Sequence, residues 1–199
     1  MSKQATARDQ QAARTRTALI KAATARFGAD GYQRTTVDAV AGDLGVTKGA
    51  AYHHFADKKV LFAAVFMAVQ RDLVIAVGRR SASGRALDRL RRACAAYLDE
   101  CTPSVARILL LDGPAVLGEL VWNATEDRLW LGALRGLIDA AQCEGRFFAL
   151  DTVLAARVIS AALTQLATAT IDATSTFSPD SAEVQLVLTT MLRGFEIPE

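Results

Sequence analysis

Cysteine, histidine and long apolar runs are all scarce in this chain, and each shortage closes off a class of function. Only three cysteines occur among 199 residues. Cys94 and Cys101 fall on one face of an expected helix, roughly 10 Å apart at about 1.5 Å per residue. A disulfide needs Cα atoms within about 7 Å, so this pair cannot close within one helix. Cys143 is an odd third thiol, and all three read as small buried hydrophobes rather than redox groups. The two histidines, His53 and His54, are adjacent. Adjacent positions do not share a helix face, and no Cys, Asp or Glu stands at helical ligand spacing, so no metal site is expected. A nucleophile needs a base in reach, and neither another histidine nor a paired-carboxylate motif is present, which argues against an enzyme. A Gly-rich phosphate loop is also missing, and no cofactor is expected. The longest apolar run, Val60 to Val69, is far short of the roughly 20 residues that span a membrane. Met1 to Gln11 is polar and lacks the apolar segment of a secretory signal. A cytoplasmic protein with no membrane partner is the expectation.

What the chain has in quantity is apolar residues, 51% of the total, enough for a substantial buried core. The apolar positions recur at helical spacing, with no strand-period segment, internal repeat or low-complexity tract, so the fold class is all-α. The small net charge of +2 hides an asymmetry. Residues 1–60 hold ten Lys+Arg against five Asp+Glu, and the remainder holds thirteen against sixteen. A basic N-terminal part is the electrostatic footprint of a nucleic-acid contact, and the rest is free for another task.

The basic end contains two short helical patterns. Thr36 is a good N-cap, and Val37, Val40, Ala41 and Leu44 follow at helical spacing. Gly45 is the expected stop, because a helix C′ residue often needs positive φ. Val46 plugs the turn, Thr47 caps again, and Lys48 to Phe55 form a second short helix. Two short helices across a Gly-bearing turn make a helix-turn-helix, spanning about residues 36–55 here, whose second helix enters the DNA major groove. Lys48 falls in a first helical turn, and Lys58 and Lys59 follow Asp57, the expected cap of a third helix. Cations there oppose the macrodipole, which suggests phosphate seats beside Tyr52 and His53. Gly49, Ala50 and Ala51 carry little side chain and suit close backbone approach or a thymine methyl. His54 is expected to face its own domain, and Phe55 the core.

This run resembles the DNA-binding domain of TetR-family transcriptional regulators. The resemblance rests on Thr35 and Thr36, Val46 to Gly49, Tyr52 to Phe55, Lys58 and Leu61, with Phe27, Gly31 and Tyr32 upstream. It covers roughly Ala13 to Leu73. It implies that Thr36, Lys48, Tyr52, His53 and Lys58 contact operator DNA. Ala50 and Ala51 are smaller than what many relatives carry there, so phosphates are expected to supply much of the affinity.

Around this unit the chain reads as follows. Met1 to Ala13 is expected to be a mobile arm, with Arg14 and Arg16 in reach of phosphates. A first helix runs from about Thr15 to Asp30, with Leu19, Ile20, Ala23 and Phe27 inward, and Gly31 ends it. The helix after Asp57 is apolar nearly all round and reads as buried, linking the DNA surface to the next domain. A break is expected from Gly78 through Ser81 to Gly84. Further helices follow: Arg85 to Glu100, Val105 to Leu111, Ala115 to Trp122 and Leu129 to Cys143, with a turn at Asp112-Gly113-Pro114. The last two, about Thr152 to Ile171 and Asp180 to Phe195, flank a polar loop with Ser178-Pro179 and are expected to form a homodimer interface.

The expected organisation is a DNA-binding domain over residues 13–73 and a helical effector-binding and dimerisation domain over residues 74–199. Its function would be that of a ligand-responsive repressor of operator DNA; the alternative is an effector-independent dimeric DNA-binding protein or an activator. Tyr97, Trp122, Trp130 and Phe147 are candidate lining for a lipophilic or aromatic small-molecule effector, with Glu119 and Arg128 orienting any polar part.

Overall fold

The structure is a computed structural model that describes residues 3–171, 178 and 181–198, with side chains from residue 8 to residue 169 in the first stretch. It is helical throughout. The only pairing of extended backbone among the described residues is a single antiparallel bridge, Phe147 to Glu196.

Helix α1 (Lys3–Arg34) carries Leu19, Ala23 and Phe27 into the core. Its regular course breaks at Gly31, where φ is 78°, a conformation that costs glycine little. From Lys3 on, the expected N-terminal arm is instead part of this helix, its first two residues lying outside the described ones. No Gly or Pro occurs before Gly28, and the Ala-, Gln- and Arg-rich run has high helix propensity even where exposed. Helices α2 (Val37–Asp43) and α3 (Lys48–His54) follow, then α4 (Lys58–Arg80), 23 residues long.

Helix α4 is less enclosed than its composition suggested. Leu61, Phe62, Val65, Phe66, Val69, Gln70, Leu73 and Val77 are buried, but Val60 and Ile75 are more than 40% exposed. Its other side faces α1 across an open groove of about 1130 Å³. By length and composition alone, α4 and residues Thr152–Ala169 would suffice to cross a membrane, which the Val60 to Val69 run by itself would not. In α4 the apolar stripe is used for core packing against α1 and the next helix. The break expected from Gly78 to Gly84 falls at residues 81–85; the helix runs on past Gly78 to Arg80 and Ser81 closes it.

The second half is built from α5 (Ala86–Glu100), α6 (Pro103–Ala106), a π-helical segment (Arg107–Asp112), α7 (Gly113–Leu117), α8 (Glu119–Arg128), α9 (Trp130–Cys143), α10 (Thr152–Ile171) and α11 (Ala182–Arg193). Leu87, Leu90, Cys94, Tyr97 and Leu98 of α5 are all buried, as the amphipathic pattern required. Helix α5 is central, packing on α4, α9, α10 and α11.

The sequence placed a turn at Asp112-Gly113-Pro114; the chain there stays helical. Pro114 has no N–H to give and its ring crowds the preceding turn, and the wider π-helical segment just before it accommodates both effects. Gly113 is needed at this point for contact rather than for φ. A Cβ there would lie 2.9 Å from the Phe66 ring and 3.2 Å from Trp122. The helix expected over Ala115 to Trp122 is divided at Gly118, where φ is 84°.

Helix α11 begins at Ala182, capped by the Ser181 hydroxyl; the expected start at Asp180 and the adjoining Pro179 lie outside the described residues. Of the three cysteines, Cys94 and Cys101 are buried and burial pushes both thiols up to about 12, which keeps them protonated and inert. Cys143 departs from expectation and is exposed, since it falls on the outer side of α9 at its C-terminal end.

Candidate functional site

The reading unit is assembled by local capping. Thr36 Oγ1 accepts from the Ala39 amide (3.1 Å) and Thr47 Oγ1 from the Ala50 amide (3.2 Å). Asp57 Oδ1 accepts from the Val60 amide at 2.7 Å and starts α4. Gly45 turns the chain at φ 62°. These caps hold α2 and α3 across a short turn, with Val40, Ala41, Ala51 and Phe55 buried beneath them. The opposite face of α3 presents Lys48, Gly49, Tyr52 and His53, all exposed, while His54 is half-buried. A Cβ on Gly49 would meet nothing within 4 Å in the protein. Ala51 does not belong to that outer face: it is fully buried, because it lies on the side of α3 turned to the core.

Two of the three lysines have partners within the chain. Lys48 Nζ donates to Asp38 Oδ2 at 2.5 Å across the α2–α3 joint, and that hydrogen bond raises the lysine pKa. Lys48 is largely exposed and Asp38 half-buried, so the lysine can leave the pair for a phosphate contact. Lys58 is used more deeply. Its Nζ donates to the carbonyls of Tyr32 (3.0 Å) and Gln33 (3.3 Å) and sits 4.2 Å from the centre of the Tyr32 ring. It therefore closes the C-terminal end of α1, whose last carbonyls have no helical partner. Its apparent conflict with the N-terminal dipole of α4 is balanced by that contact. Arg16 stacks over Phe55, with its guanidinium 5.0 Å from the ring centre.

The six expected effector-lining residues do not form one site. Tyr97 and Trp130 are brought together, rings stacked at 4.6 Å, both 1% exposed. Trp122 lies close by on α8, half-buried, its indole N–H donating to the Leu109 carbonyl at 2.8 Å. Phe147 stacks instead on Phe195, beside the bridge to Glu196. Glu119 is exposed at the start of α8, and Arg128 lies on the rim of the α1–α4 groove.

Beside Tyr97 and Trp130 the structure gathers polar groups that the sequence reading passed over. Gln70 of α4, wholly buried, donates through Nε2 to Glu126 Oε1 of α8 at 2.7 Å. Glu126 is 7% exposed, and burial first, then neighbouring Asp127, pushes its carboxyl up to about 7 against the lowering effect of the Gln70 bond. The Tyr97 hydroxyl stands near Thr164 and Cys101, and the Trp130 indole donates to Ser160 Oγ at 3.0 Å. Trp122, Glu126, Leu131, Ser160 and Thr164 line a cavity of about 390 Å³ between α8 and α10. A signal for this cluster was present. Gln70 interrupts the Phe66, Leu73, Val77 stripe, and Glu126 stands midway between Trp122 and Trp130 at four-residue spacing.

A helix-turn-helix with an exposed recognition face, joined to a larger helical unit, defines a DNA-binding regulator. Comparison with known proteins agrees along the chain. Residues 19–65 match the family model described as bacterial regulatory proteins, tetR family, and residues 87–195 match the tetracyclin repressor-like C-terminal domain. The chain belongs to the TetR family, and is thus a DNA-binding transcription regulator; members of this family are generally non-enzymatic. Over 48 residues it is 44% identical to the Transposon Tn10 TetC protein of Escherichia coli, a match covering 24% of each protein. A crystal structure of a TetR-family transcriptional regulator from Pectobacterium atrosepticum aligns with a TM-score of 0.80 at 27% identity, over 95% of this chain and 97% of that one. The fatty acid degradation regulator FadR from Bacillus halodurans shares the fold, with a TM-score of 0.76 at 20% identity over 89% and 97% of the two chains.

Proposed function

We propose that this protein is a ligand-responsive repressor that binds operator DNA as a homodimer and leaves it when a small molecule occupies the C-terminal domain. The observation that carries the reading is the division of α3 into a buried side, Ala51 with the Phe55 cap, and an exposed side bearing Lys48, Gly49, Tyr52 and His53. On this reading those four residues and Thr36 meet DNA, and Lys58 positions the end of α1 beside it. Two such helices, one per protomer, would enter successive major grooves about 34–36 Å apart. The DNA-binding unit would extend to about residue 73, where α4 runs on into the effector domain and couples the two. A regulator of this kind acts where the DNA is, in the cytoplasm.

Dimerisation falls to the outer faces of the last two helices. Leu154 and Val158 of α10 are 63% and 47% exposed, and Leu186 and Val187 of α11 are 66% and 53% exposed. Exposed apolar side chains on both helices favour a self-complementary contact between two copies. The required coupling between ligand and DNA is modest, of order 1–3 kcal/mol.

The test is a gel shift of the purified protein on the intergenic DNA upstream of its own gene, with non-specific competitor, with and without an extract of small metabolites. A competitor-resistant shift abolished by the extract supports the proposal. A resistant shift that no fraction releases favours an effector-independent binder, and the absence of any specific shift there or in a genome-wide binding screen overturns operator binding.

A further inference from the structure

We propose that the α8–α10 cavity takes a molecule with an apolar body and a protonated amine, the amine being held by the Glu126 carboxylate. The inference rests on the reading of the C-terminal half as an effector-binding domain and assigns the chemical class of the effector.

The cavity, about 390 Å³, is of the size that holds small ligands. Its walls are apolar and aromatic, from Trp122, Leu131 and Ala161. Its polar lining is Asn123, Glu126, Ser160 and Thr164, with Arg157 at the mouth. Glu126 lies there with one carboxylate oxygen engaged by Gln70. No ion pair reaches Glu126 among the described residues, and the basic residue at the mouth, Arg157, is already bound to Asp127 at 2.9 Å. Behind Glu126, the side-chain oxygen of Gln70 is buried and accepts from nothing. A carboxylate removed from water without a cation is costly, and an ammonium supplies both the missing charge and three donors with no acceptor. A carboxylate ligand would meet repulsion from Glu126, and Arg157 could serve it only by leaving Asp127. The Trp130 indole is occupied by Ser160 and Tyr97 is buried behind the lining, which leaves Glu126 as the charged recognition group.

Titration adds a signature. Of the groups around Glu126, Tyr97 and Cys101 on α5 are held neutral by burial, and Asp127 on α8 pairs with Arg157 on α10. An ammonium beside Glu126 lowers its pKa from about 7. Amine binding near pH 6.5 should therefore release a proton from Glu126 to the buffer.

The experiment titrates the full chain calorimetrically with decylamine, decanol and decanoate, alongside Glu126→Gln, which keeps the shape and the bond to Gln70. Decylamine should bind saturably at one per chain, more than tenfold tighter than decanoate. Its affinity should fall roughly 10- to 100-fold in Glu126→Gln while that for decanol is unchanged. The wild-type decylamine enthalpy at pH 6.5 should vary with buffer ionisation enthalpy. Decanoate binding as tightly as decylamine, or Glu126→Gln binding decylamine normally, overturns the proposal, as does binding of none of the three. Operator release, followed separately by gel shift, tells the two readings apart. Decanoate that binds and releases DNA overturns the amine assignment alone. Decylamine that binds through Glu126 and leaves the DNA complex intact supports the site and overturns its regulatory use.

Discussion

The buried Glu126 carboxyl makes a quantitative demand on stability. Its pKa stands at about 7 in the folded protein against 4.5 in the unfolded chain. Between these values the folded state holds more protons than the unfolded one, so stability falls as pH rises through that window. Below it both states are neutral, and above it both are charged, with the folded state carrying the full cost of a buried charge. At 1.36 kcal/mol per pH unit the difference amounts to about 3 kcal/mol, and relaxation around the group reduces this to roughly 1.5–3 kcal/mol. Glu126→Gln removes the titration and allows a reciprocal amide pair with Gln70, whose oxygen otherwise has no donor. The variant should thus gain stability over wild type by roughly 1.5–3 kcal/mol more at pH 8 than at pH 4.5. Urea unfolding followed by the fluorescence of Trp122 and Trp130 measures both, at one protein concentration so that subunit association is held fixed. Titrations elsewhere in the chain cancel in the difference between the two proteins. An advantage of the variant that is the same at both pH values would refute the assignment of Glu126 as a buried, charge-penalised carboxyl.

Lys58→Ala should cost about 1–2 kcal/mol of stability, since the carbonyls of Tyr32 and Gln33 lose their donor and the ring its cation, while Lys48→Ala should leave the melting temperature unchanged. In anisotropy titrations over salt, Lys48→Ala should reduce the log–log slope of DNA binding by about one; an unchanged slope removes its phosphate role. Leu154→Glu and Leu186→Glu should each yield monomers in sedimentation, whereas Leu188, 3% exposed, is core and its charged variants should unfold the chain. Intact dimers from both surface variants would place the interface elsewhere. Gly113→Ala should destabilise by about 1–3 kcal/mol in thermal melts, because its methyl meets the Phe66 ring and the Ile108 carbonyl; a neutral result would show that the joint between α4 and α8 yields readily.

The parts of the fold legible in the sequence were those set by neighbours along the chain. Thr36, Thr47 and Asp57 cap as their residue types demand, Gly45 has positive φ, and α5 buries the face that its periodicity announced. The N-terminal extension of α1 was missed because an absent apolar stripe was taken as absent structure, although propensity alone favours a helix there. Asp112-Gly113-Pro114 misled for a related reason. Turn residues and helix residues are the same at this point, and what decides is that Gly113 must pass Phe66 and that Asp112 Oδ2 accepts from the Tyr32 amide 80 positions away. The cavity was the least legible feature. Its key pair, Gln70 and Glu126, lies 56 positions apart, and the aromatic residues expected there divide between two separate stacks, Tyr97 on Trp130 and Phe147 on Phe195.

The π-helical segment Arg107–Asp112 has a consequence for how this chain tolerates change in length. A π turn holds one residue more than the α turn it replaces, so the segment amounts to an insertion absorbed without leaving the helix. Deleting one residue from Ile108 to Leu111 would let the segment rewind as α-helix and leave everything after it close to its present phase, because the wider turn advances less per residue than the α turn. Asp112 would still face the Tyr32 amide, and Gly113 would still pass Phe66. The phase between the DNA-reading half and the cavity thus does not depend on the surplus residue, and this segment is where the chain should best tolerate the loss of one residue.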